Sequence, residues 1–312
     1  MNKKVKQKIN YLKYYYSKRG VAKLVFNTFA INRSSFKVAE NKKNYSDYYF
    51  LKKKFSKYIQ KDRLINKGTY ENDNKIIWSL WLQGKDNAPA IVKACWKSIE
   101  REKPECYKLI ILDESNINNY ISFPNIIKEK YHNGIISRAF YSDIIRLYLL
   151  DNYGGYWIDS TVYCMNSDLF SMITDMNCQL FVYKNIGRND DGCAISSWLI
   201  YSKKHDPIIS NTYNLLLEYI KKYNYLINYF LVHLMFTVVA DEFAEEWNSV
   251  PLLDNLTPQL LSLNIFNKYD KDYFEYLSNA ASFQKLNYRY STTDQEKVDT
   301  YYKFILNKEL NI

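Results

Sequence analysis

The sequence is short of the residues on which several kinds of chemistry depend. It has five cysteines in 312 residues (Cys95, Cys106, Cys164, Cys178 and Cys193), an odd number with no Cys-x-x-Cys pair. That argues against a disulfide framework and a zinc site, and implies reduced thiols. Histidine occurs three times. His132 and His205 fall in polar stretches and are read as solvated; His233 lies on an apolar helical stretch, where a hydrogen-bonded core histidine is the commoner outcome. No Ser-His-Asp order and no phosphate-binding glycine loop is present. The N-terminus lacks the apolar centre of a signal peptide. The longest apolar run, residues 231–240, is too short to span a bilayer, so a soluble or surface-bound protein is expected, cytoplasmic given its reduced thiols. There is no internal repeat.

Acidic residues are scarce at one end only. Residues 1–70 carry 19 Lys and Arg against Glu40, Asp47 and Asp62, a net of +16, within a chain whose formal net charge is +10. The rest of the chain is therefore acidic, with a net of −6. Val5, Ile9, Leu12 and Tyr16 fall on one helical face, with Lys3, Lys4, Lys6, Lys8 and Lys13 elsewhere; Lys52, Lys53 and Lys54 sit among aromatics further on. A basic amphipathic helix of this kind suits an anionic membrane surface, at roughly 1 kcal/mol per lysine near the leaflet. The alternative is a helical extension packed on the main domain with a solvated lysine face. No nucleic-acid-binding motif accompanies the charge, so no nucleic-acid partner is expected.

Beyond residue 70 the pattern changes. Residues 75–82, KIIWSLWL, form a nearly continuous apolar run, as a buried strand does. Trp78 and Trp81 lie on opposite faces of it, so one of the two must point inward. Gln83, Gly84 and Pro89 belong to the loop that follows. Ile91, Ala94, Cys95 and Ile99 then recur at helical spacing, and residues 107–112 make a second strand ending on Asp113. Strand, helix, strand predicts a βαβ unit of a parallel sheet. Asp113 is also suited to cap a helical turn beginning at Ser115. Residues 179–183 and 195–201 read as further strands, flanking a polar loop, residues 187–192, that would face an acceptor. Helices are expected over 207–223, 228–243 and 295–306.

The rest is organised around residues 142–163, SDIIRLYLLDNYGGYWIDSTVY. Ile144, Ile145, Tyr148 and Leu149 recur at helical spacing. Asp143 and Arg146 stand three apart and can point from the same end of that helix; alone they would be a surface ion pair worth about 0.3–0.5 kcal/mol. Gly154 and Gly155 break the helix, since glycine takes positive φ without steric cost. Tyr156, Trp157 and Ile158 read as an edge-to-core strand with Asp159 at its C-terminal tip, where α/β sheets bind ligands. A carboxylate there, backed by an Asp/Arg pair, suits a charged, hydroxyl-rich ligand.

Ser142-Asp143-x-x-Arg146 followed by Gly154-Gly155-x-x-x-Asp159 resembles the sugar-nucleotide site of the GT-A glycosyltransferases that carry an Asp-x-Asp motif. The bacterial capsular polysaccharide synthesis group is the nearest form. The resemblance runs from about residue 75 to 286, and departs from the motif where Thr161 replaces the second Asp. It implies a single GT-A-like α/β domain over residues 71–312, a Rossmann-like mixed sheet flanked by helices, preceded by the basic helical extension of residues 1–70. It implies transfer of a hexose from a nucleotide sugar, UDP-linked, to a glycan or lipid-linked oligosaccharide of capsule or surface polysaccharide, with retained anomeric configuration. On this reading Asp143 receives donor-sugar hydroxyls and Arg146 the sugar or its phosphate. Trp81, Gln83, Gly84 and Asp113 form the base pocket. Arg138, Gly154, Gly155 and Lys285 complete the donor site, and the segment 229–233 matches a family motif that ends in His233. Asp159 with Thr161 would hold Mn²⁺ or Mg²⁺, since hard oxygen donors suit these ions. Two rivals remain: a sugar-1-phosphate transferase of capsule assembly, which would release a nucleoside monophosphate, and a non-catalytic scaffold at the inner face of the membrane.

Overall fold

The structure, a computed structural model, describes residues 36–61, 75–185 and 193–312. The amphipathic stretch at residues 5–16 and the polar loop at 187–192 lie outside the described residues.

The apolar runs become a five-stranded sheet. Its strands are β1 (Ile76–Leu80), β2 (Lys108–Leu112), β3 (Gly155–Ile158), β5 (Leu180–Lys184) and β6 (Ile195–Ser202), in the order β2-β1-β3-β6-β5. β1 pairs in parallel with both β2 and β3, whereas β6 runs antiparallel to β3 and to β5. The sheet is therefore mixed, as expected. β3 sits in the centre of the sheet rather than towards its edge, and all four of its residues are buried. The strand period explains which tryptophan turns inward. Trp78 pairs with Trp157 and Ile77 with Tyr156, so alternate residues serve opposite faces of the sheet.

Helices cover both faces. In chain order they are α1 (Phe36–Phe55), α2 (Ala90–Glu102), α3 (Asn125–His132), α4 (Arg138–Tyr153), α5 (Asp168–Asp175), α6 (Pro207–Lys222), α7 (Leu231–Glu242), α8 (Ala244–Ser249), α9 (Leu260–Asn264), α10 (Lys271–Ala280), α11 (Thr292–Glu296) and α12 (Tyr301–Leu310). Trp78 and Trp157 pack into a cluster with Ile144, Leu147, Leu216, Leu234 and Phe236 of α4, α6 and α7. On the other face Ile77, Tyr156 and Ile158 meet Ile99 of α2 and Phe170 of α5. The helix expected over 295–306 is two pieces, α11 and α12, because the chain between them passes through Asp299 with φ of 52°.

Two local features set the site. Ser137 caps α4, its Oγ accepting from the Phe140 amide at 3.2 Å, and Gly154 ends the helix with φ of 70°. A Cβ at Gly154 would stand 2.7 Å from the Lys204 amide nitrogen and 3.0 Å from the Ser202 carbonyl oxygen. Glycine is required there for packing as well as for the turn. Beyond β3, a short strand β4 (Val162–Cys164) leaves the main sheet and pairs antiparallel with β7 (Phe283–Lys285), Val162 opposite Lys285. The Leu286 amide donates to the Thr161 carbonyl at 2.8 Å, which extends that ladder past its last strand residue.

The described part of the basic N-terminal segment packs on this body. Phe50, Leu51 and Phe55 of α1 are buried. Asn228 donates to Asn44 at 2.8 Å and to Asp47 at 2.9 Å, all three being buried. Lys52 pairs with Asp241 of α7 at 2.7 Å. Among the described residues no helix is long and apolar enough to cross a membrane.

Candidate functional site

A cavity of about 440 Å³ opens at the C-terminal ends of β1 and β3, where parallel strands leave a crevice for ligands. Leu80, Trp81, Leu82 and Gln83 come from β1 and its exit, and Arg138, Ala139, Ser142, Asp143 and Arg146 from the first half of α4. Trp157, Asp159, Ser160 and Thr161 come from β3 and its turn, Ser197 from β6, Tyr229 and His233 from the start of α7, and Lys285, Tyr288 and Arg289 from β7 and beyond.

The four groups at its floor form one chain of charge. Arg146 Nη1 lies 3.1 Å from Asp143 Oδ1, and its Nη2 lies 2.9 Å from Asp159 Oδ1. The guanidinium is buried, with its carbon 5.0 Å from the centre of the Trp157 ring. Trp157 Nε1 also donates to Asp159 Oδ1, at 2.8 Å. On the far side of the carboxylate, Lys285 Nζ stands 3.3 Å from Asp159 Oδ2 and hydrogen-bonds Thr161 Oγ1. A buried arginine shared by two carboxylates is costly to break, at about 3–5 kcal/mol when one partner is removed.

These contacts divide the two carboxylates. Burial raises the Asp143 carboxyl to about 6, with Arg146 opposing and the Asp159 charge reinforcing the rise. Burial also pushes Asp159 upward, but Lys285 and Arg146 outweigh it and hold this group below the ordinary carboxylate value. Burial lowers His233 to about 4, with the Arg146 charge adding to the effect. His233 is thus a neutral imidazole near neutral pH. Its Nδ1, Trp81 Nε1 and Arg146 Nε are buried without a hydrogen-bond partner among the described residues. Native proteins leave few such groups, and three around one cavity fit a polar ligand.

The lining carries four cations, Arg138, Arg146, Lys285 and Arg289, against two carboxylates. The capped N-terminus of α4 adds the positive end of a helix dipole. An anionic ligand is the natural guest. Trp81 meets Tyr288 edge to face, ring centres 5.0 Å apart, and these two make an aromatic wall.

Of the residues singled out from sequence, Trp81, Gln83, Arg138, Asp143, Arg146, Asp159, Thr161, His233 and Lys285 line the cavity together. Gly84 follows Gln83 at the turn, with φ of 89°. Gly84, Asp113, Gly154 and Gly155 do not line it. Asp113 Oδ1 accepts from the Ser115 amide at 2.8 Å and from the Asn116 amide at 3.1 Å, which is the capping role weighed for it. Gly154 and Gly155 lie at the opposite end of β3 from Asp159, where the Gly154 carbonyl accepts from Trp78 Nε1 at 3.1 Å. Tyr288 and Arg289 were not anticipated. The signal was the basic and aromatic run Tyr288-Arg289-Tyr290 shortly after Lys285.

In this structure protein cations stand where the sequence reading places a divalent ion. Asp159 and Thr161 are the pair expected to hold one, yet both already face the Lys285 ammonium and the remaining oxygen of Asp159 faces Arg146. Among the described residues no group of three or more His, Cys, Asp or Glu side chains is placed to hold a metal ion. Mg²⁺ at phosphate sites is held by one or two carboxylates together with substrate oxygens and water, so an ion here would have to take the place of the Lys285 ammonium beside Asp159 Oδ2 and Thr161 Oγ1.

No curated protein matches the chain. Among solved structures it is similar to one titled "PaToxG Glycosyltransferase", at 14% identity over 85% of this chain and 97% of that one, with a TM-score of 0.39. The sequence model of the capsular polysaccharide synthesis proteins matches residues 27–305. That span includes every residue lining the cavity and the whole of the five-stranded sheet, and the chain belongs to the capsular polysaccharide synthesis protein family.

Proposed function

We propose that the chain is a GT-A-type glycosyltransferase that moves a hexose from a UDP-linked sugar to a glycan acceptor in capsular polysaccharide synthesis, with retention of configuration. The observation that carries this reading is the cation excess of a sugar-nucleotide-sized cavity whose floor also holds a carboxylate, Asp143, suited to hydroxyl groups. The aromatic wall of Trp81 and Tyr288 receives the base, with Gln83 hydrogen-bonding its edge. Lys285, Arg138 and Arg289 face the diphosphate, and Arg146 orients both carboxylates while its own charge draws the donor phosphate inward. Asp143 accepts hydrogen bonds from the donor hexose. Tyr229, 72% exposed at the rim, offers a ring on which an acceptor sugar can stack.

In the transfer, the bond from the anomeric carbon to the β-phosphate oxygen breaks and its electron pair stays on the phosphate. The acceptor oxygen bonds the same carbon from the same face, and its proton passes to the departing phosphate oxygen. Lys285 and Arg146 hold Asp159 below the ordinary carboxylate range, and Asp143 is engaged by Arg146 at 3.1 Å, which favours the leaving group as the proton acceptor. An acceptor carried on a lipid would bring the protein to the inner face of the membrane.

The test is to incubate the full chain with a panel of UDP-, GDP- and CMP-sugars and a capsule-type oligosaccharide, then identify the released nucleotide. Transfer of a hexose releases a nucleoside diphosphate, and Asp159→Ala should lower its rate about a hundredfold or more. Release of a uridine or guanosine monophosphate would replace the reading with sugar-phosphate transfer. Absence of turnover and of nucleotide binding across the panel would leave a non-catalytic protein.

A further inference from the structure

We propose that the Lys285 ammonium takes the place of the divalent cation between Asp159 and Thr161, so that this chain binds its nucleoside diphosphate and stabilises the leaving group without metal. The inference rests on the transferase reading above and deepens it.

Position is the first argument. Lys285 Nζ is 3.3 Å from Asp159 Oδ2 and hydrogen-bonded to Thr161 Oγ1, the two side chains that the sequence motif assigns to an ion. The other oxygen of Asp159 is engaged by Arg146 at 2.9 Å and by Trp157 Nε1 at 2.8 Å. A dication entering there would have to displace the Lys285 ammonium from both side chains, and would bring its own charge no closer to the diphosphate than the ammonium already stands. Thr161 is consistent with this exchange. A hydroxyl can accept from an ammonium, whereas a second aspartate would add a charge that one lysine does not balance.

Construction is the second. Lys285 is no loose surface lysine: Phe283 and Gln284 beside it are buried, and β7 is zipped to β4 with Lys285 directly opposite Val162. Gln284 Oε1 accepts from the Leu261 amide at 3.1 Å, tying the strand to α9. The Lys285 side chain is nonetheless 26% exposed, so it reaches the cavity.

Valence is the third. An ammonium has three N–H donors. Asp159 and Thr161 take two, and the third remains for a phosphate oxygen. Arg138 and Arg289 line the same cavity and share the load. As the glycosidic C–O bond breaks, the charge that grows on the diphosphate meets fixed N–H donors already in place.

The experiment is calorimetric titration of UDP, GDP, ADP, dTDP and CMP into the full chain, once in EDTA and once in Mn²⁺, for wild type, Lys285→Met, Lys285→Arg and the double variant Thr161→Asp/Lys285→Met. The Mn²⁺ electron paramagnetic resonance signal is recorded in parallel. Wild type should bind one diphosphate with the same Kd within about twofold in both buffers, and should not deplete the free Mn²⁺ signal beyond what the nucleotide alone depletes. Lys285→Met keeps the aliphatic bulk and should lose at least tenfold affinity in EDTA, with Lys285→Arg retaining most of it. The double variant should gain Mn²⁺-dependent binding and deplete the Mn²⁺ signal. Tenfold or greater strengthening of wild-type binding by Mn²⁺, or an unchanged Kd in EDTA for Lys285→Met, would overturn the inference and leave the transferase reading standing. No binding of any nucleotide in either buffer would overturn the transferase reading itself, and this inference with it.

Discussion

Asp143 and Asp159 share one arginine yet serve different tasks, and the difference is electrostatic. Asp159 lies between two cations and stays ionised; Asp143 has one cation, a carboxylate neighbour and little water, which puts its carboxyl at about 6. Above that pH it is ionised and, on the proposed reading, accepts from sugar hydroxyls; below it the group is neutral. The gain in affinity of a UDP-sugar over UDP should therefore fall about tenfold between pH 7 and pH 5 in wild type. In Asp143→Asn that gain should be small and independent of pH, as read by parallel titrations of the two ligands. The sign for stability runs the other way. A carboxyl whose folded value is raised binds more protons when folded, so its contribution to stability declines as pH rises from about 4 to 6. Donor recognition and stability thus favour opposite sides of the same titration.

At the scale of elements, β3 and its flanking turns do the positioning. Gly154 holds φ of 70° and ψ of −161°, a region only glycine occupies at low cost, and any Cβ there meets backbone of the Ser202–Lys204 segment. Gly154→Ala should lower stability by about 2–4 kcal/mol in urea unfolding. The remaining folded protein should keep its nucleotide affinity, because this end of β3 is remote from the cavity. The sequence showed the strands and helices of this core well, since KIIWSLWL and the α4 stripe have clear local periods. It did not show that β3 would sit between β1 and an antiparallel β6, because strand order is decided by pairing between distant segments, to which a local pattern is blind. Site residues followed the same division. Asp143, Arg146 and Asp159 lie close in sequence and were legible as a group. Lys285 sits on a three-residue strand, too short to have a period, and only its likeness to a family motif marked it. That its ammonium would face both Asp159 and Thr161 could not be read across a sequence separation of 124 from Thr161.

Over the whole molecule, α1 is part of the packed body rather than an appendage to it. Burial of Phe50, Leu51 and Phe55 stabilises by about 1.5–3 kcal/mol per side chain, and the pairing of Asp47 and Asn44 with Asn228 removes buried polar groups from risk. That total rivals the net stability of a typical domain. A chain lacking residues 1–61 should be recovered insoluble, or with a Tm lowered by at least about 10 °C, as read by thermal denaturation. The pairing of β4 with β7 has a consequence in time. Every lining residue from Leu80 to His233 is synthesised before Lys285 exists, so a growing chain carries a half-built cavity whose Asp159 awaits its second cation. The entropy of closing so long a loop rises only logarithmically with its length, but it must be met before the strand contributes anything. On the proposed reading, a donor that touches both Arg146 and Lys285 would stabilise that closure by mass action. The sugar nucleotide would then act, on that reading, as a folding clip for the newborn protein.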